Sequence, residues 1–148
     1  MSAVMRDLSL EECLTRLRED AVGRVAVLEN DVPVVVPVNY QLVEVAGIVW
    51  IVLRTRPGNL IDTAPMKVGF EIDGIDLVHE SGWSVFVRGT LHHVDVTSAD
   101  FRERFDPHPW LGEDRSAWLV IQPFSITGRT LAGPAPTWVF VGTEMFLG

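Results

Sequence analysis

Val32-Pro33-Val34-Val35-Val36-Pro37-Val38-Asn39-Tyr40 and Ile48-Val49-Trp50-Ile51-Val52-Leu53-Arg54-Thr55-Arg56-Pro57-Gly58 are two β-branched runs, each ending in residues suited to hydrogen bonding or charge. The first is almost unbroken valine until it turns polar at Asn39 and Tyr40. The second turns polar at Arg54 and Thr55 and is broken by Pro57-Gly58. Such runs fit the inside of a sheet. Neighbouring strands that deliver an amide, a guanidinium and a hydroxyl to nearby ends form a cradle for an anionic, planar ligand. The plainer alternative is a pair of ordinary strand ends entering solvent.

Outward from these runs, the chain reads as one helix followed by short strands. Ser9-Leu10-Glu11-Glu12 is a capping box that starts a helix. Leu10, Cys13, Leu14 and Leu17 follow at helical spacing, and Gly23 is the expected stop. Val25 and Val27 then alternate with their neighbours, and Asn30-Asp31 supplies hairpin chemistry before a strand from Pro33 to Tyr40. Gln41 to Gly47 reads as a connection, Ile48 to Leu53 as the next strand and residues 59–64 as a short helix. Lys67 to Ile72 alternates as a strand, with Asp73-Gly74-Ile75-Asp76 as an acidic loop.

Gly82 to Val96 is the longest strand expected. Trp83, Val85 and Val87 face one way, Ser84, Phe86 and Arg88 the other, until Gly89 permits a bulge or a bend. Asp100 to Phe105 is a short helix and Asp106 to Asp114 a loop. Ala117 to Ile121 and Phe124 to Thr130 complete the sheet, interrupted at Pro123, and Trp138 to Val141 reads as an added strand. One helix and six or more strands joined by short turns point to an antiparallel barrel or sandwich.

A length of 148 residues with 47% hydrophobic content fits one domain able to bury a core. The net charge of −8 speaks against nucleic acid as a partner, which demands a basic face. An anionic ligand must then be held by local positive charge, for which Arg54, Arg56 and Arg88 are candidates. One cysteine, Cys13, excludes an internal disulfide and a thiolate-rich metal site, and its place among apolar helix positions makes it inert. No signal pattern and no apolar run of membrane-spanning length is found, so a cytoplasmic protein without a membrane partner is expected.

The order Glu12-Cys13-Leu14, Val22-Gly23-Arg24-Val25-Ala26, Pro37-Val38-Asn39-Tyr40, Leu53-Arg54-Thr55 and Gly82-Trp83-Ser84-Val85-Phe86-Val87-Arg88-Gly89 resembles the pyridoxamine 5′-phosphate oxidase-like family of flavin-binding split barrels. The likeness covers roughly residues 8 to 130. It implies a six-stranded antiparallel split barrel spanning the chain, with 131–148 as a C-terminal extension. It also implies a homodimer with flavin sites at the subunit interface. The implied cofactor is FMN, or alternatively the deazaflavin coenzyme F-420, serving oxidoreduction of a small organic substrate. The other reading is a non-catalytic flavin carrier, sequestering protein or sensor.

By position, the resemblance sets Pro37, Val38, Asn39 and Tyr40 against the ring system and Arg54 with Thr55 on the phosphate. Trp83 and Ser84 approach from a neighbouring part of the interface. A planar guanidinium grips phosphate oxygens through parallel hydrogen bonds. Arg56, Asn59 and Leu60 complete the candidate cofactor set, with one departure. Where the family commonly carries a lysine after the Arg-Thr pair, this chain has Pro57-Gly58-Asn59-Leu60 and none. Arg56 either substitutes for it or points away, because strand side chains alternate.

No catalytic residue is assigned, since a bound flavin supplies the redox chemistry itself; Tyr40 is a proton donor or simply closes the barrel end. Trp110 is a second tryptophan to test for cofactor contact. Adjacent strand residues face opposite sides, so His92-His93 cannot ligate one ion, and no metal site is expected.

Overall fold

The computed structural model describes residues 4–63, 65–94, 99–110, 115–132, 138–141 and 144–147. Among them are strands β1 (Val4–Asp7), β2 (Val22–Glu29), β3 (Val32–Val45), β4 (Ile48–Thr55), β5 (Met66–Asp76), β6 (Ser81–His93), β7 (Ala117–Ala132), β8 (Trp138–Val141) and β9 (Glu144–Leu147). The helices are α1 (Leu10–Glu19) and α2 (Ala99–Phe105), and one 3-10 turn spans Leu60–Thr63. The main sheet runs β1-β7-β4-β3-β2-β5-β6, and β6 pairs back onto β7. Six strands, β2 to β7, therefore close a ring, as expected. The seventh strand, β1, is an addition that pairs outside the ring with β7, Val4 opposite Ala132. All pairings are antiparallel, and β8–β9 form a separate two-stranded sheet.

Local chemistry accounts for most element ends. Ser9 caps α1 by accepting from the Glu12 backbone while the Glu12 carboxylate accepts from the Ser9 N–H at 3.0 Å. The helix stops at Glu19 with Asp20 as cap, not at Gly23, which lies inside β2. A Cβ on Gly23 would sit 2.3 Å from the Phe70 ring, so this glycine answers to packing and not to helix termination. Asn30 and Asp31, both at positive φ (51° and 63°), make the two-residue turn between β2 and β3.

Three expected loops are strand instead. β3 continues through residues 41–45 to a turn at Ala46-Gly47, β5 continues through residues 73–76, and Pro123 does not interrupt β7. The reason is long antiparallel partners: β5 is matched along its length by β6, from Met66–Leu91 to Asp76–Ser81. At Pro123 the register shifts between Arg88 and Gly89, giving the expected bulge. A Cβ at Gly89 would meet the Gln122 carbonyl at 2.6 Å. The part of the expected strand at residues 95–96 and the part of the expected loop at 111–114 lie outside the described residues.

The ring encloses Val25, Ile51, Leu53, Phe70, Ile72 and Val85 among others, with Cys13, Leu14 and Leu17 of α1 joining that core. Cys13 is fully buried, and burial pushes its thiol pKa up, with the Glu12 charge adding to the effect. On the outer side, Val52, Trp118 and Val120 form a second cluster covered by Phe101 and Phe105 of α2. This cluster sets α2 beside the end of β4. No helix among the described residues is long and apolar enough to cross a membrane.

Candidate functional site

At Tyr40 the barrel divides. Upstream, β3 pairs with β2, Asn39 standing opposite Val22; downstream it pairs with β4, Tyr40 opposite Leu53. The last two residues of β4 lie beyond that pairing, Arg54 opposite Trp118 and Thr55 opposite Ala117 of β7. Strands that part company leave a wedge between them. A cavity of about 160 Å³ fills it, lined by Pro37, Val38, Asn39, Arg54, Thr55 and Asn59, together with Val36, Pro109 and Arg115.

Strand alternation sorts the side chains. Tyr40 and Thr55 point inward and are nearly fully buried, while Asn39 and Arg54 face outward. The Tyr40 phenol donates to the Leu17 carbonyl at 2.7 Å, and burial, reinforced by the Asp20 charge, drives its pKa upward. That phenol is a core group with its hydrogen committed to α1. The expectation that Tyr40 donates a proton at the site is therefore corrected; the alternative, closing the barrel, is what the structure shows.

Arg54 is held from three directions. Its Nε donates to the Arg115 carbonyl at 2.9 Å, and Nη1 donates to Asp106 Oδ1 and Oδ2 at 3.0 and 3.1 Å. The guanidinium also lies 5.1 Å from the Trp118 ring centre. Among the described residues Nη2 has no hydrogen-bond partner. Asp106 follows Phe105 directly, so the packing of α2 on Trp118 delivers the carboxylate to Arg54. Burial raises the Asp106 pKa, but the His108 N–H and the Arg54 guanidinium outweigh it and hold the carboxyl below its usual range.

The same segment is tied to β3. Asn39 Oδ1 accepts from the Trp110 N–H at 2.9 Å, and Asn39 Nδ2 donates to the Ala21 carbonyl at 3.4 Å. In the amide orientation that satisfies its surroundings, Gln41 donates to the Asp106 and Phe105 carbonyls at 3.1 and 3.3 Å. Trp110 itself is 76% exposed at the rim.

The loop carrying Asn59 is set by Asp62, which accepts from the Gly58 N–H at 2.8 Å and meets His93 Nε2 at 2.7 Å. His93 is thereby part of the loop's scaffold, and no metal-ligating group of His, Cys, Asp or Glu occurs among the described residues.

Of the eleven residues expected at a cofactor site, Pro37, Val38, Asn39, Arg54, Thr55 and Asn59 converge on this cavity. Tyr40 is not among the lining residues, being buried with its phenol on Leu17. Arg56 is exposed, and Leu60 packs against the core. Trp83 and Ser84 line a different groove of about 580 Å³, with Ile75, Leu77 and Leu131, which shares no residue with the first. Over Trp83 lies the Arg16 guanidinium, 4.5 Å from the ring centre. Within one protomer these two sets are not brought together. Sequence reasoning missed Asp106, Pro109 and Arg115. Pro109 and Arg115 line the cavity, and Asp106 reaches Arg54 through the tertiary packing of α2, for which no local signal exists.

Residues 9–130 match the family model described as pyridoxamine 5′-phosphate oxidase, and the chain belongs to that family. A Corynebacterium glutamicum structure described as a candidate pyridoxamine 5′-phosphate oxidase is 29% identical, with a TM-score of 0.72, covering 88% of this chain and 96% of that one. The structure of the FAD binding protein from Mycobacterium smegmatis is 26% identical, with a TM-score of 0.64, covering 86% of this chain and 98% of that one. An uncharacterized Mycobacterium tuberculosis protein is 25% identical over 138 residues, 88% of either chain.

Proposed function

We propose, from this family membership and the wedge between β3 and β4, that the protein binds a flavin or deazaflavin at a homodimer interface. There it serves as an oxidoreductase for a small organic substrate. The observation that carries this reading is the convergence of Arg54 and Arg115 with Asn39, Thr55 and Asn59 on one cavity at a divided strand end. Those donors fit a phosphate and the polar edge of a planar ring. Arg54 and Arg115 would hold the phosphate, and the 37–40 backbone would face the ring. A bound flavin supplies hydride or electron transfer; the chain's own residues bind, orient and shield it.

Size argues for the dimer. Sites for ligands of this bulk usually enclose ~300–1,000 Å³, whereas the wedge offers about 160 Å³. A second surface must cover the rest of the ligand. Leu28, Val35 and Phe124 are each at least 60% exposed, and Leu28 and Phe124 line a shallow apolar groove with Ala26, Pro33 and Phe86. This is surface suited to a second copy of the chain. In such a dimer, Trp83 and Ser84 of the partner subunit complete the site. The cytoplasm is the compartment that fits a chain with a single, buried, unpaired cysteine.

The alternative of a non-catalytic flavin carrier draws on the pairing of Arg54 with Asp106 and on the absence of a lysine after Thr55. Mass spectrometry of the ligand that co-purifies, followed by reduction assays with nicotinamide and deazaflavin donors across a substrate panel, separates the two. Turnover establishes the oxidoreductase. A bound flavin that no donor reduces and no substrate oxidises establishes the carrier.

A further inference from the structure

Resting on the homodimer reading above, we infer that two copies of the chain pack with Arg24 of each facing the partner's Glu71. The twofold axis relating them runs along the strands, between β2 and β5. The outer face of β3, β2, β5 and β6, adjacent in that order, is a grid whose rows the strand register gives. Pro37, Arg24, Glu71 and Phe86 form one row, and Val35, Ala26, Gly69 and Arg88 form the next. Along β2, β5 and β6 these residues alternate with buried Val25, Phe70, Val85 and Val87, so the rows face away from the core. Asn39 lies two residues beyond Pro37 on β3, and Ser84 lies beside Asp73, two residues beyond Phe86 on β6. Both stand at the same end of the grid.

An isologous contact repeats every pairing twice about an axis lying in the contact plane. For the partner's Ser84 to complete the wedge at Asn39, the partner's β6 must lie over β3 with the rows matched. An axis along the strands, midway between β2 and β5, does this. The same operation lays β2 over the partner's β5 and sets Arg24 opposite the partner's Glu71. An axis across the strands would carry Ser84 to the far end of the grid and leave the wedge uncovered. Packed sheets lie ~10 Å apart, a gap that facing arginine and glutamate side chains span.

The charges and the apolar residues agree with this register. Within its own chain Arg24 meets Glu71 at 3.4 Å and Asp73 at 3.0 Å, each side chain being about a third exposed. One guanidinium thus serves two carboxylates. Burial first, and the Asp73 carboxylate second, hold the Glu71 pKa above its usual range in spite of Arg24. The partner's guanidinium supplies the missing compensation. Arg88 falls on the partner's Val35 and meets no like charge. Exposed Leu28, Val35 and Phe86 around the cluster provide the apolar contact. Arg24 and Glu71 set the register, since such pairs add more to specificity than to affinity.

The test mixes two full-chain variants, Arg24→Glu and Glu71→Arg. Each places like charges opposite one another in its own homodimer and opposite charges in the mixed dimer. Neither chain keeps the Arg24–Glu71 pair within itself, so only contact between chains restores it. Sedimentation and native mass spectrometry should show each variant alone dimerising about tenfold more weakly than native, or worse. An equimolar mixture should dimerise within about threefold of native, as the heterodimer. A statistical mixture of dimers, a mixture that stays monomeric, native-strength dimers of either variant alone, or a monomeric native protein overturns the inference. Arg24→Asp with Glu71→Lys repeats the exchange if circular dichroism shows that either first variant fails to fold. FMN, FAD and coenzyme F-420 titrated into the same samples keep the two readings apart. Heterodimers that bind none of them leave the inference standing and remove the flavin reading. Flavin-binding dimers with no preference for the heterodimer do the reverse.

Discussion

The Tyr40 phenol donates to the Leu17 carbonyl at 2.7 Å, one residue along the chain from the amide of Asn39 at the cavity. The strand that carries the site is thus anchored to α1 from its inner face. Tyr40→Phe leaves a buried carbonyl without this donor and should cost about 1–2 kcal/mol of stability. Because the phenol points away from the cavity, flavin affinity should stay within twofold of native. Denaturant unfolding and fluorescence titration of one preparation check both halves.

Acid should dissolve the Arg54–Asp106 pair. The Asp106 pKa is lowered in the folded protein, so its stabilisation is present above the unfolded carboxyl value of about 4 and is lost as pH falls through the folded value. Asp106→Asn should be less stable than native by about 1 kcal/mol at pH 7, and the gap should close as pH falls through the lowered folded value. Urea unfolding at a series of pH values measures it. A gap that widens toward acid would have the wrong sign.

Gly23→Ala places a methyl group 2.3 Å from one Phe70 ring carbon and 2.6 Å from another. Phe70 is fully buried against Tyr40, edge to face at 4.9 Å, and has little room to yield. The expected loss is about 1–3 kcal/mol, seen as a lower melting temperature with the secondary structure unchanged.

The paired acidic substitutions Phe86→Asp and Phe124→Asp place charge in the apolar groove shared with Ala26 and Leu28. Sedimentation should show a dimer for the native protein and a monomer for the double variant. The monomer should bind flavin at least tenfold more weakly, since one protomer encloses too little volume. A monomeric native protein that binds flavin tightly would remove the shared-site proposal.

Local chemistry made the ring legible. The Ser9–Glu12 box, the Asn30-Asp31 turn, the valine alternation of β2 and β6 and the Gly89 bulge each act over a few residues, and each stands where expected. Element lengths were less legible, because residues 41–45 and 73–76 become strand only through partners far along the chain. Gly23 shows the same limit: its meaning depends on Phe70, 47 residues away. In the site, Asn39, Arg54 and Asn59 were readable as polar residues closing apolar runs. Asp106 was not, because nothing around it in the sequence announces that Phe101 and Phe105 will dock on Trp118 and bring it to Arg54.

The central claim is that the Arg54 guanidinium at the divided end of β4 receives the phosphate of a flavin or deazaflavin. The most direct measurement is a fluorescence titration of the native protein and Arg54→Ala with FMN, FAD and coenzyme F-420. A charge-assisted hydrogen bond is worth about 1.5–3 kcal/mol. At least one of the three should therefore bind saturably and lose tenfold or more in the variant, while riboflavin, which has no phosphate, should not distinguish the two proteins. Binding of all four compounds with equal affinity to native and variant, or saturable binding of none, would contradict the account.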